Sequence, residues 1–120
     1  MRYYECINHS FATMNTAAAK RRASLLHFPE TVYNKNATLY RIMANPKRLH
    51  ILNLLAQKEM SVEELAKEVG ARMPNVSQHL TVLRANRFVT SRREGLNVIY
   101  RITDRRIVQP CAIFKKIHHL

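Results

Sequence analysis

Between Ser61 and Leu83 the sequence sets two short helical signals almost end to end, and that spacing constrains the fold more than any other feature. Ser61-Val62-Glu63-Glu64 has the form of a capping box, in which the Ser61 hydroxyl and the Glu64 carboxylate each accept from the other residue's backbone N–H. Leu65, Ala66 and Val69 then fall on one face, and Gly70 supplies a residue able to close the helix with positive φ. Pro74 suits the first turn of a second helix, whose Val76, Leu80 and Leu83 recur at i, i+4 and i+7. Two helices joined by a short turn containing glycine form a helix-turn-helix.

The flanking sequence extends this unit on both sides. Pro29 suits a first helical position, and Val32, Leu39, Tyr40 and Met43 give a stripe to about Ala44. Asn45-Pro46 restarts a helix with Asn as cap and Pro at the first helical position, and Leu49, Leu52 and Leu55, widened by Ile51 and Leu54, carry it through Ala56. After Leu83 the period changes. Phe88–Arg92 and Asn97–Ile102 are β-prone, and Arg93-Glu94-Gly95-Leu96 supplies a turn, so a hairpin is expected. Asp104 can cap a last helix bearing Ile107, Cys111, Phe114 and Ile117, with a late start or a kink at Pro110. The order predicts a mainly α (α+β) winged helix-turn-helix. It has a two-stranded wing hairpin and N- and C-terminal dimerisation helices.

A chain of 120 residues is the length of one domain, expected over residues 29–120. Residues 1–28 read as a partly flexible extension: Met1–Asn15 has no period, and Thr16–His27 is a short helical stretch with a Lys20-Arg21-Arg22 cluster. Met14 offers a second candidate start. No apolar run reaches the roughly 20 residues of a membrane span, and the N-terminus lacks a secretory pattern, so a soluble cytoplasmic protein without a membrane partner is expected. Two cysteines, Cys6 and Cys111, do not make a disulfide framework. With two glycines, no Gly-rich phosphate loop and no nucleophile elbow, the chain does not read as an enzyme.

Twenty Lys+Arg against eight Asp+Glu give a formal charge of +12, which points to a phosphate-rich partner. The charge is segregated. Arg72 to Arg106 holds eight basic and two acidic residues, whereas Lys58 to Glu68 holds two basic and four acidic. If Val76, Leu80 and Leu83 face the core, the opposite face of their helix presents Asn75, Gln78, Thr81 and Ala85. Asn and Gln read adenine bidentately, and Thr touches a thymine methyl or a phosphate. Ser77 and His79 flank this face within reach of phosphates, as do Arg72 and Arg84, while Arg92 and Arg93 on the hairpin reach the backbone or a narrow minor groove. The bland alternative is a solvated helix face and a hairpin kept soluble by arginines. The helix's place as second in the turn motif favours double-stranded DNA. An exposed aromatic cluster for single-stranded RNA is lacking. One reading helix gives a short footprint, so a homodimer on a palindromic operator is expected, through Val32, Leu39, Tyr40, Ile107, Val108, Phe114 and Ile117. Intramolecular packing of these residues is the alternative.

Three segments in order carry a family resemblance. Leu39-Tyr40-Arg41-Ile42-Met43-Ala44-Asn45-Pro46-Lys47-Arg48-Leu49-His50-Ile51-Leu52 resembles the LxxLANPxRLxIL signature of the ArsR/SmtB repressors. Pro74–Arg84 resembles their recognition helix, and Arg93-Glu94-Gly95 with Val98-Ile99-Tyr100 resembles their wing. The resemblance spans roughly Thr38 to Ile113 and implies a homodimeric, ligand-responsive transcriptional repressor. The sensor patterns of the family are not matched. No thiols stand around Ser61 to Glu64. Arg106 and Ile117 occupy the histidine positions that would follow Asp104, and Asn53 stands near the first position of the dithiol pair whose second is Cys111.

What remains for sensing is Cys111, with His118 and His119, and the remote Cys6 and His9. A thiolate with imidazoles can bind a metal ion, and Cys111 can be modified by oxidants. Adjacent histidines point to different sides of a helix, and a lone cysteine is often a small buried hydrophobe. The expected function is a sequence-specific repressor released from its operator by a metal ion or a thiol-reactive signal. A constitutive repressor with no inducer and a basic protein-interaction adaptor are the competing readings.

Overall fold

The computed structural model describes Ala17, Ala18, Arg21 and residues 27–120. The expected tail over Met1–Asn15 and most of the expected short helix over Thr16–His27 lie outside the described residues. Contacts divide the chain into two units, Met1–Ala37 and Thr38–Leu120. That division falls inside helix α1, Glu30–Met43.

Pro29 stands just ahead of α1, and its carbonyl accepts from Val32 N–H at 2.9 Å. Helix α2, Pro46–Gln57, starts where Asn45 Oδ1 accepts from the backbone N–H groups of Lys47 and Arg48, at 3.0 and 3.2 Å. A two-residue strand β1, Met60–Ser61, follows. Ser61 then caps α3, Val62–Val69. Its Oγ accepts from Glu64 N–H at 3.2 Å, and Glu64 Oε1 accepts from Ser61 N–H at 3.4 Å. Gly70 ends α3 at φ 65°, a left-handed conformation that suits a residue without Cβ. Helix α4, Met73–Ala85, carries Pro74 in its first turn, where no intrahelical donor is lost.

Strands β2, Val89–Glu94, and β3, Asn97–Ile102, form the hairpin. Its turn is shorter than the four residues expected. Arg93 and Glu94 pair with Val98 and Asn97, leaving Gly95-Leu96 as the two-residue loop. Gly95 has φ 63° and Leu96 does not have positive φ, which matches a II′ turn with glycine first. Phe88, expected in the strand, precedes it and is buried, with its N–H donated to Leu83 O at 2.9 Å. A third, two-residue strand joins the two-stranded hairpin at its base. β1 pairs antiparallel with β3, Met60 opposite Tyr100, so the sheet order is β1-β3-β2.

After the sheet, Asp104 caps a 3-10 turn, Arg105–Val108, and α5 runs Gln109–Ile117 with Pro110 in its first turn. Pro110 therefore delays the α-helix instead of kinking it. Ile51, Leu52 and Leu55 of α2, Leu65, Ala66 and Val69 of α3, and Val76, Leu80 and Leu83 of α4 form the core with Met60, Phe88 and Val89. Each of the larger side chains among them taken fully out of water contributes about 1.5–3 kcal/mol. Among the described residues no polar or charged side chain is buried.

Candidate nucleic-acid interface

Helix α4 divides into two faces. Val76, Leu80 and Leu83 have no exposed surface at all, and on the far side Asn75, Ser77, Gln78, Thr81 and Ala85 are exposed. The core thus fixes which side of α4 meets the outside. The helix rests on α3, and the amide groups of Asn75 and Gln78 face away from the core. Thr81 is less free than its sequence position implies. Its Oγ1 donates to Ser77 O at 2.8 Å, so it offers a methyl and oxygen lone pairs, not a hydroxyl donor.

The arginines differ in how free they are. Arg72 precedes α4 as its N-cap residue, is exposed, and makes no side-chain cap hydrogen bond. Arg84 donates from Nη1 to Ser91 Oγ at 3.1 Å and so ties the end of α4 to β2. Arg92 is engaged by two carboxylates, Glu59 and Glu94. The hydrogen bond to Glu59 is the first cause of a guanidinium pKa raised above its ordinary value. The charge of Arg92 is therefore already balanced. Arg93, one residue along β2, is exposed and has no ion pair among the described residues. It is the freer wing cation.

The sequence places Arg48 in the family signature but gives no sign of its partner, because residues separated by most of the helix-turn-helix carry no periodic signal of their contact. Arg48 of α2 donates from Nε to His79 Nδ1 at 3.3 Å and from Nη1 to Ile42 O at 2.9 Å. His79 is consequently half-buried, and its pKa lies below the usual 6.5, chiefly through burial and then through the charges of Arg48 and Lys47. Arg48, Pro74, Ser77, Gln78, His79, Thr81 and Val82 line a groove of about 460 Å³ beside the polar face of α4.

A helix-turn-helix followed by a β-hairpin is a winged helix-turn-helix, the architecture by which one similar solved structure is described. The profile of the arsR family of bacterial regulatory proteins matches residues 45–91. KmtR, an HTH-type transcriptional regulator of Mycobacterium tuberculosis, is 44% identical over 82 residues, 67% of this chain and 63% of KmtR. The crystal structure of the transcriptional repressor BigR from Xylella fastidiosa matches at 33% identity with a TM-score of 0.62, over 73% of this chain and 87% of that one. A solution structure from Mycobacterium bovis matches at 31% identity with a TM-score of 0.63, over 75% of this chain and 83% of that one. It is the homodimeric winged helix-turn-helix DNA-binding domain Mb0332, a possible ArsR-family transcriptional regulator. The chain belongs to the arsR family.

Within this arsR-family fold the expected dimer residues separate into two groups. Leu39, Ile107 and Val108 pack in part against the chain's own core. Tyr40, Phe114 and Ile117 are exposed, as are Ile113 and Leu120, so α5 presents an open apolar side. Val32 is half-buried. The sensing candidates do not converge. Among the described residues no group of three or more His, Cys, Asp or Glu is placed to hold a metal ion. His118 lies edge-on to Phe114 at 6.4 Å, and His119 is exposed. Asn53 Nδ2 donates to Leu49 O at 2.8 Å and reaches Cys111 Sγ at 3.6 Å, so an amide and not a second thiol faces Cys111. Cys6 and His9 lie outside the described residues. No described helix is long and apolar enough to cross a membrane.

Proposed function

We propose that the protein is a dimeric repressor that binds a palindromic operator in duplex DNA, acting by occupancy and not by turnover, in the cytoplasm where the DNA is. The observation that carries this is the exposure of Asn75, Gln78 and Thr81 on a helix whose other side is fully buried. Two copies of α4, set about one DNA turn (roughly 34 Å) apart, read successive major grooves. Arg93 and Arg72 supply backbone contacts, and Arg84 holds the wing against the reading helix. The apolar side of α5, Ile113, Phe114 and Ile117, with Tyr40 of α1, serves as the surface on which the copies meet. The homodimeric Mb0332 domain supports that assembly by likeness.

Release from the operator by a metal ion or a thiol-reactive compound is part of the proposal, with the half-buried thiol of Cys111 as the responsive group. The test is a fluorescence-anisotropy titration of the protein's own promoter region against a scrambled duplex, in a salt series and with metals, thiol oxidants and persulfides added in turn. The proposal requires preference for the promoter and affinity falling steeply with salt as counterions are released. It also requires one class of additive to dissociate the complex, with Cys111→Ser abolishing a thiol response. Equal binding to both duplexes contradicts sequence reading. Release by no additive leaves a constitutive repressor.

A further inference from the structure

The contact between α2 and the reading helix fixes more than packing. An arginine guanidinium is always a donor and never an acceptor, so His79 Nδ1, 3.3 Å from Arg48 Nε, must be the accepting nitrogen. A neutral imidazole has one N–H, which then resides on Nε2. Protonating Nδ1 would set two donors and two positive charges face to face. Arg48 is itself held in place, because its Nη1 donates to Ile42 O at the end of α1. Lys47 is the other cation acting on His79, and its Nζ donates to Val69 O at 2.9 Å at the end of α3. Among the described residues neither His79 Nε2 nor Arg48 Nη2 has a hydrogen-bond partner. Arg48 and His79 line the same groove as Ser77 and Gln78.

We propose that Arg48 is a positioning residue for DNA recognition: it holds His79 as the neutral tautomer with hydrogen on Nε2, so that this N–H, beside the Arg48 charge, donates to a backbone phosphate seated in the groove next to Gln78. The inference rests on the DNA-binding reading and deepens it. The chemistry is suited to a phosphodiester. A neutral N–H donor gives direction and register, while the charge that attracts the phosphate sits one residue removed, on a guanidinium that does not lose its proton. His79 then needs no protonation to bind, and affinity for the operator is flat across neutral pH.

Nitrogen-15 histidine spectra of the unaltered dimer test the first half without any variant. The inference requires the pattern of an Nε2-protonated neutral ring for His79 at pH 7, and an Nδ1-protonated ring or an imidazolium overturns it. In Arg48→Met the His79 titration midpoint should rise toward the ordinary histidine value, and an unmoved midpoint overturns the inference whatever happens to affinity. A double-mutant cycle with His79→Ala tests the second half by anisotropy on promoter DNA. Each single change should weaken binding roughly tenfold, and the double change should cost clearly less than the product of the two, since part of the Arg48 effect acts through His79. Fully multiplicative losses overturn it. If Arg48→Met fails to fold, Arg48→Lys keeps the charge without the planar donor and should move the same nitrogen signals, and their constancy counts against the inference. Absence of duplex binding by the unaltered protein defeats the DNA-binding reading itself, whereas binding with an independent His79 defeats the inference alone.

Discussion

Whether a cation on this surface matters to DNA depends on what already holds it. Arg92 and Arg93 are neighbours on β2, yet Arg92 is balanced by Glu59 and Glu94 while Arg93 has no ion pair among the described residues. Arg93→Ala should therefore weaken all duplexes alike and lower the salt slope by about 1 in log–log terms, since one phosphate contact is lost. Arg92→Ala should change that slope by less, because its charge already has partners. Comparing the two salt series decides it, and a larger effect for Arg92 would mean that the carboxylates release it on binding. A second residue-scale prediction concerns acid. Hydrogen bonds from the side chain and then the backbone of Arg106 hold the Asp104 carboxyl down at about 2. A carboxyl whose folded pKa lies below its unfolded value of about 3.9 contributes stability above that value and loses it as pH falls toward the folded one. The stability contribution should therefore fade between about pH 4 and pH 2, while the Arg106 amide resonance of the folded protein shifts in a transition centred near pH 2. A shift centred near pH 4 would show the carboxyl to be unpaired.

At the scale of elements, the fold depends on a few junctions. Gly70→Ala places a Cβ on a φ of 65° with nothing within 4 Å, so the cost is backbone strain alone, about 1–2 kcal/mol by thermal or denaturant unfolding. Leu80→Ala removes a fully buried side chain from α4 and should cost about 2–5 kcal/mol. The DNA affinity of whatever remains folded should fall with it, because the same helix carries the amides. These junctions were the legible part of the sequence. Asn45 and Ser61 name helix starts through a side chain bonding its own local backbone, and Gly70 names a stop through its φ. Such signals act within a few residues, so they can be read without a fold. The parts that were missed are non-local. β1 is only Met60–Ser61 and exists because β3 lies beside it. Glu94 belongs to a strand, not a turn, because Asn97 pairs with it. For the candidate site, the outward face of α4 followed from its period, whereas the Arg48–His79 contact and the engagement of Arg92 needed coordinates. Side-chain partners separated by 31 residues have no sequence period.

At the scale of the whole molecule, the described residues present a polar and basic surface on α4 and the hairpin and an apolar side on α5. On the proposed reading, the first meets DNA and the second meets another copy of the chain. Phe114 and Ile117 are 57% and 44% exposed, an orientation that leaves them wet unless another surface covers them. Phe114→Glu should leave the fold intact, since α5 buries no residue fully, and should turn a dimer into a monomer by sedimentation. Operator affinity should then fall by orders of magnitude, as one reading helix replaces two. A dimer that survives the change would place the interface elsewhere. The central claim remains that the polar face of α4 lies along base edges, and one ratio reports it directly. It is the affinity for the protein's own promoter duplex divided by that for a scrambled duplex, with Gln78 and with Gln78→Ala. Loss of a bidentate base contact predicts a fall in that ratio of about tenfold or more at an unchanged salt slope. An unchanged ratio, with both duplexes bound as before, would contradict it.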